Sequence, residues 1–222
     1  MRLLRFSLLT FSLGLFAGEV SAQSTGRVKF QTKRPTPAVT AYGYYVGPFY
    51  GTLLSDPTRP TIDLFCVDIL NSVHWGEEWN VNFTRLTNPN FSRTRHGNDD
   101  KDKYIKAAWL ADQYDNTPTQ EWGGLQAAIW NLLNPGSPNG GAAEANWLNQ
   151  VNSWFLNPSD VAAFDMGRWT VVTATGAAGL RAGGGPQEFL TTSVTPEPEA
   201  WVLMGTGLVL VLGAAFKRSR LV

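Results

Sequence analysis

The chain of 222 residues has one cysteine, two histidines and no excess of charge, with 18 Lys and Arg against 18 Asp and Glu. Each shortage closes off a class of function. A single cysteine forms no internal disulfide, so the Cys66 thiol is buried, reactive or modified. His74 and His96 stand far apart and make no zinc site with that cysteine. Nothing in the sequence places either histidine beside Cys66, and no G-x-S-x-G segment occurs, so an exported hydrolase lacks its base. The acidic group Asn98, Asp99, Asp100 and Asp102 lacks the alternation of a calcium loop and reads as the negative first turn of a helix. Without its two ends the chain holds 13 basic and 15 acidic residues (13 − 15 = −2), which leaves no basic stripe for nucleic acid. No repeat of solenoid or propeller period is visible.

What the chain has in quantity is aromatic area and turn residues: nine Trp, twelve Phe, 22 Gly and 13 Pro. Its two ends read as addresses. Residues 1–22 carry Arg2 and Arg5, an apolar run from Phe6 to Ala17 and the small-residue close Val20-Ser21-Ala22, the pattern of a cleaved signal peptide. Residues 195–222 hold Pro196-Glu197-Pro198, seventeen residues from Ala200 to Phe216 that are predominantly apolar, and the basic cluster Lys217, Arg218 and Arg220. That run is at the lower limit for a single transmembrane helix, and the basic cluster puts the tail on the cytoplasmic side. The order Pro-Glu-Pro, apolar helix, basic cluster resembles the PEP-CTERM sorting signal of Gram-negative bacteria. The resemblance implies an exosortase-type sorting protease as partner, anchoring in the inner membrane before processing, and delivery to the cell surface or an exopolysaccharide matrix.

Between the ends, residues 23–194 form one domain of ordinary size. Strand-like segments with Gly and Pro turns come first, among them Thr61 to Leu70, apolar on both alternations, with Ile62, Leu64 and Cys66 on one face. Glu78 to Leu86 alternates as a further strand. The period then changes to that of helices at Asn98 to Tyr114, Thr117 to Leu133, and about Ala142 to Leu156. Strand character returns at Arg168 to Thr175 and Glu188 to Val194, with Ala177 to Pro186 as a flexible hairpin connection or linker. This order predicts an α+β fold: an antiparallel β-sandwich or barrel with an inserted three-helix unit, followed by the C-terminal transmembrane helix.

The helix predicted over Thr117 to Leu133 carries the most informative residue. Thr117, Pro118 and Gln120 have the pattern of a capping box. Gln126 lies in the apolar stripe of Trp122, Leu125, Ile129, Trp130 and Leu133. Buried there without a partner, its amide costs about 2–7 kcal/mol. A core glutamine bonded to backbone is the ordinary outcome; a covalent partner is the other. Gly123 and Gly124 leave room for another backbone to approach.

The segments Leu64-Phe65-Cys66-Val67-Asp68 and Leu125-Gln126-Ala127-Ala128-Ile129-Trp130 resemble the paired motifs of thioester domains in bacterial surface adhesins. Phe65, Val67, Ile129 and Trp130 match the apolar flanking positions, while Leu125 stands where many members have Thr. The resemblance implies a β-sandwich with a helical subdomain and an internal thioester between Cys66 and Gln126. Such a bond captures a surface or matrix amine or hydroxyl in a single turnover, with neither cofactor nor metal. Asp68, on the face of Cys66, either polarises the incoming amine or ends the strand. The alternative reading is a non-covalent structural or glycan-binding matrix protein, for which Trp75 and Trp79 are the candidate glycan platform.

Overall fold

The computed structural model describes residues 23–31, 38–136, 138–181 and 183–192. The expected signal peptide, the expected sorting segment with its apolar run, and the end of the last expected strand at Ser193 and Val194 lie outside the described residues. Six strands close into an antiparallel barrel: β1 (Gln23–Phe30), β4 (Pro48–Leu53), β5 (Thr61–Cys66), β8 (Phe189–Thr192), β7 (Trp169–Ala174) and β6 (Glu78–Arg85), in that order around the wall. A separate hairpin of β2 (Val39–Ala41) and β3 (Tyr44–Val46) precedes β4. Tyr42 and Gly43 form its turn, both at positive φ, the backbone that a two-residue hairpin of right-handed twist requires. Of the two forms expected, sandwich or barrel, the chain adopts the closed one, which leaves no open edge.

The inward and outward faces follow the two-residue period of the strands. One face brings together Val28, Leu53, Ile62, Leu64, Val81, Phe83, Val172 and Phe189, all buried and paired in register across the wall. Gly51 occurs on this face because a Cβ there would meet the Leu64, Val28 and Ile62 side chains. The opposite face of β5, β8 and β7 is buried as well, through Phe65, Leu190 and Val171. Strands covered on both sides read as continuous apolar runs, which is the pattern of Thr61 to Leu70. Regular strand ends at Cys66, four residues earlier than expected.

The insertion between β6 and β7 supplies the cover: α1 (Lys101–Ala111), α2 (Trp122–Leu133), α3 (Gly141–Phe155) and a short fourth helix, α4 (Pro158–Ala163), beyond the three expected. Asn157 caps α4 through the Ser159 N–H at 3.2 Å, with Pro158 at its first position. The capping box expected at Thr117 does not form. A 3-10 turn over Thr119–Glu121 leads into α2, Thr117 is extended, and no side chain caps either start. The Thr117 carbonyl instead accepts from the Trp122 indole N–H at 3.0 Å. Helix α2 is buried nearly all round, so it lies between the barrel and α3 and has no solvent face to show amphipathicity. Gly124 permits this: a Cβ there would stand 2.6 Å from the Ala143 Cβ and 3.1 Å from its carbonyl carbon. Among the described residues no helix is long and apolar enough to cross a membrane.

The Ala177 to Pro186 segment is not a free linker. It holds a short helical turn, α5 (Gly176–Gly179), and a bridge between Arg181 and Gly184. Arg95 ties it down by donating to the Gly179 and Pro186 carbonyls.

Candidate functional site at the end of strand β5

Strand β5 ends against α2, and the end of the strand is where the site lies. Gln126 on α2 and Asn134 just past its end donate to consecutive backbone carbonyls, those of Cys66 at 2.8 Å and Val67 at 3.2 Å. Cys66 lies past the last pair of β5 with β4 and Val67 past the end of the strand, so side-chain amides supply donors that the sheet does not. Gln126 and Cys66, distant in sequence, thus share one hydrogen-bonded unit. Both are buried, Gln126 completely.

The Gln126 carboxamide is held at both ends. Its Oε1 accepts from the Tyr114 hydroxyl at 2.8 Å. Tyr114 sits in a 3-10 turn, Tyr114–Asn116, between α1 and α2. Its ring stacks on Phe65 at 5.8 Å and meets Trp122 edge-on at 5.3 Å. Burial pushes the Tyr114 hydroxyl well above its usual range, so it stays protonated and acts as a donor. The Cys66 thiol donates to the Asp68 carbonyl at 3.2 Å and accepts from the Trp130 indole N–H at 3.4 Å. Burial pushes this thiol up to about 12; the Trp130 hydrogen bond and the Arg95 charge act the other way and are outweighed. Phe65, Val67, Ile129 and Trp130 are all buried around the pair. Cys66 is 2% exposed and Gln126 fully buried, so water has little access to the cysteine and none to the amide.

Asp68 is not available to an incoming nucleophile. Its carboxylate is fully buried, ion-paired with Arg95, and accepts from the Asn71 amide at 2.5 Å and the Leu70 N–H at 3.0 Å. Of the two roles open to it in the sequence, ending the strand is the one that fits. Arg95 belongs to a second buried cluster. Glu188 accepts from the Arg95 N–H at 2.9 Å, the Thr173 hydroxyl at 2.5 Å and the Tyr104 hydroxyl at 2.5 Å. Burial raises the Glu188 carboxyl and lowers the Arg95 guanidinium, while their mutual attraction opposes both.

A cleft of about 290 Å³ reaches the sulfur from outside. Tyr44 of the β2–β3 hairpin, Trp75, Trp130 and Asn71 stand on its walls, with Cys66 among them. Trp75 stacks on Phe30 at 4.8 Å. Trp79, the other half of the expected platform, is buried against Phe189 and faces no ligand. His74 and His96 do not line the cleft; His96 pairs with Asp100 at 3.6 Å. No group of three metal-ligating side chains occurs among the described residues.

Tyr114, Asn71, Tyr44 and Arg95 carry no signal in the sequence that ties them to Cys66. Tyr114 stands twelve residues before Gln126 and outside the apolar stripe of α2. No protein-family model matches the chain, and neither a curated protein nor a solved structure is found to be similar to it.

Proposed function

We propose that the chain is an exported surface or matrix protein whose barrel-and-helix domain carries an internal thioester between Cys66 and Gln126 and attaches covalently to a nucleophile outside the cell. The observation that carries the reading is the buried contact between α2 and the end of β5, where the only cysteine meets the only glutamine of that helix. Formation begins with attack of the Cys66 sulfur on the Gln126 amide carbon. The C–S bond forms, the C–N bond breaks, and the thiol proton leaves with the nitrogen as ammonia. The oxygen that becomes negative on the way is Oε1, which already accepts from the Tyr114 hydroxyl at 2.8 Å. A fixed donor at that position is the usual device for stabilising such an intermediate. The Trp130 N–H is aimed at the sulfur and supports it as it leaves in the second step. Once acylated, the sulfur is shielded by the buried side chains around it until a nucleophile enters.

The sorting pattern at Pro196, Glu197, Pro198, Lys217, Arg218 and Arg220 supports export, transient anchoring through the helix over 200–216, and processing by an exosortase-type protease. The reaction is one turnover of capture and not enzymatic catalysis. It is complete without a cofactor.

A second reading has its own support. Gln126 is satisfied on both sides by Tyr114 and the Cys66 carbonyl, as in a structural core amide. Intact mass spectrometry of the mature chain separates the two. The thioester form is lighter by about 17 Da, one ammonia, and takes up methylamine with release of the thiol. A full-mass chain whose Cys66 alkylates only on denaturation leaves the structural reading alone. Cys66→Ala and Gln126→Ala each abolish the deficit if the thioester forms.

A further inference from the structure

The cleft above Cys66 has a composition that selects its occupant. Six of its twelve lining residues are aromatic and none carries a charge. A lysine ammonium entering it meets no carboxylate, and only ring faces and one amide oxygen replace its hydration. A wholly apolar group leaves the amide side of the cleft unmatched. That side is specific. Asn71 is only 8% exposed, its Nδ2 is spent on Asp68, and its Oδ1 has no hydrogen-bond partner. Gln187, also on the wall, donates its amide to the Asp68 carbonyl. The cleft therefore offers aromatic rings on several sides and one buried, neutral, unfilled acceptor. The group that presents both C–H faces to rings and O–H donors to an amide, with no charge, is a neutral sugar ring.

We propose that this cleft is a subsite for one neutral sugar unit of a polysaccharide, and that a hydroxyl of that sugar is the nucleophile that opens the Cys66–Gln126 thioester. The proposal rests on the thioester reading and names its substrate class. Asn71 Oδ1 accepts a hydroxyl hydrogen bond and orients the ring between Tyr44 and Trp75. A second hydroxyl attacks the Gln126 acyl carbon. The C–O bond forms, the C–S bond breaks, and the hydroxyl proton passes to the departing Cys66 sulfur. The products are a sugar ester on the Gln126 side chain and a free thiol. A sulfur in so dry a site is basic enough to take that proton.

The test is intact mass spectrometry of the mature chain incubated separately with gluco-, galacto- and manno-trisaccharides, with methylamine and with Nα-acetyllysine. The ammonia deficit is read first. With the deficit present, the expected result is a covalent adduct of one trisaccharide, stoichiometric with thiol release and formed at least about tenfold faster than the acetyllysine adduct at equal concentration. The adduct is cleaved by hydroxylamine, as an ester is and an amide is not. Addition of the amines with no trisaccharide adduct overturns the sugar subsite and leaves the thioester standing. A chain with no deficit overturns the thioester and the subsite with it. Tyr44 is 47% exposed, so Tyr44→Ala is tolerated by the fold. This variant lowers the ratio of sugar to methylamine adduct at least about tenfold. An unchanged ratio in Tyr44→Ala, and in Trp75→Phe as a second variant, overturns the cleft as the sugar site.

Discussion

Two buried polar clusters meet at Asp68, and they solve the same problem by different chemistry. On one side the Cys66 thiol, the Gln126 amide, the Tyr114 hydroxyl and the Trp130 indole form a neutral network. On the other, Asp68, Arg95, Glu188, Tyr104 and Thr173 form a charged one. Asp68 belongs to both, with its carbonyl accepting from Cys66 and its carboxylate paired with Arg95. The charged cluster ties the loop after β6, α1, β7 and the segment before β8 into one block. Breaking one partner of such a cluster strands a buried charge, so it tolerates no change in protonation or position. The neutral cluster holds α2 to β5 through uncharged groups, each with a hydrogen-bond partner. Rigidity belongs on the charged side, and the reaction proposed for Cys66 and Gln126 on the neutral side.

The largest expected effect falls on the charged cluster. Arg95→Met leaves the Asp68 and Glu188 carboxyls without their cation and costs about 3–5 kcal/mol, read as a shift in the urea midpoint. A shift below about 1 kcal/mol means that the cluster does not bear on stability as its burial implies. Tyr114→Phe comes next and tests the neutral side. It removes the donor to Oε1 and slows thioester formation by about 10²-fold, followed as the appearance of the ammonia deficit in freshly refolded chain. Its cost in stability is only about 1 kcal/mol, because the ring remains stacked on Phe65. Tyr104→Phe is the matching deletion on the charged side, where Glu188 loses one of its three donors. It costs about 1–3 kcal/mol and leaves the rate of thioester formation unchanged. A slowed rate in Tyr104→Phe removes the distinction drawn between the clusters.

At neutral pH the smallest effect is that of the Cys66 thiol, and it grows only on the alkaline side. In Gln126→Ala the Cys66 sulfur stays a thiol, whose folded-state value is raised from 9.0 to about 12 by burial. A value raised on folding means the native state holds its proton more tightly than the unfolded chain. The associated stability is fully present below the unfolded value and is lost as pH climbs through the window from 9.0 to about 12. The Gln126→Ala chain therefore loses stability there relative to a Gln126→Ala, Cys66→Ala double variant, in which every other titrating group is the same. Parallel stability curves for the two across that window place the thiol in contact with water.

The alternation of Thr61 to Leu70, the helical period of the insertion and the order of the elements were legible because each is a local pattern. Gln126 among apolar residues was legible as a polar group in need of a partner. The capping box at Thr117 was not a sound inference, since the Trp122 indole takes the Thr117 carbonyl and the chain enters α2 through a 3-10 turn. The Ala177 to Pro186 segment read as a flexible hairpin connection or linker; it holds an antiparallel bridge between Arg181 and Gly184, and Arg95 anchors it. Trp75 and Trp79 were indistinguishable as sequence neighbours of a turn, yet one lines the cleft and the other lies buried.

By itself, the sequence determined the residue types available for chemistry: one thiol, two histidines, no basic stripe, and an amide on a greasy helix. It also determined the α+β order, because hydrophobic period is set by neighbours a few positions apart. Only the tertiary structure decided which groups meet. Closure of the barrel places the end of β5 under α2, and the glycine at 124 lets α3 press α2 onto it. Tyr114 reaches Gln126 and Arg95 reaches Asp68 through contacts that span separate elements, and no local pattern encodes such contacts. Burial completes the decision, since the same thiol and amide in water have neither a raised pKa nor a fixed partner.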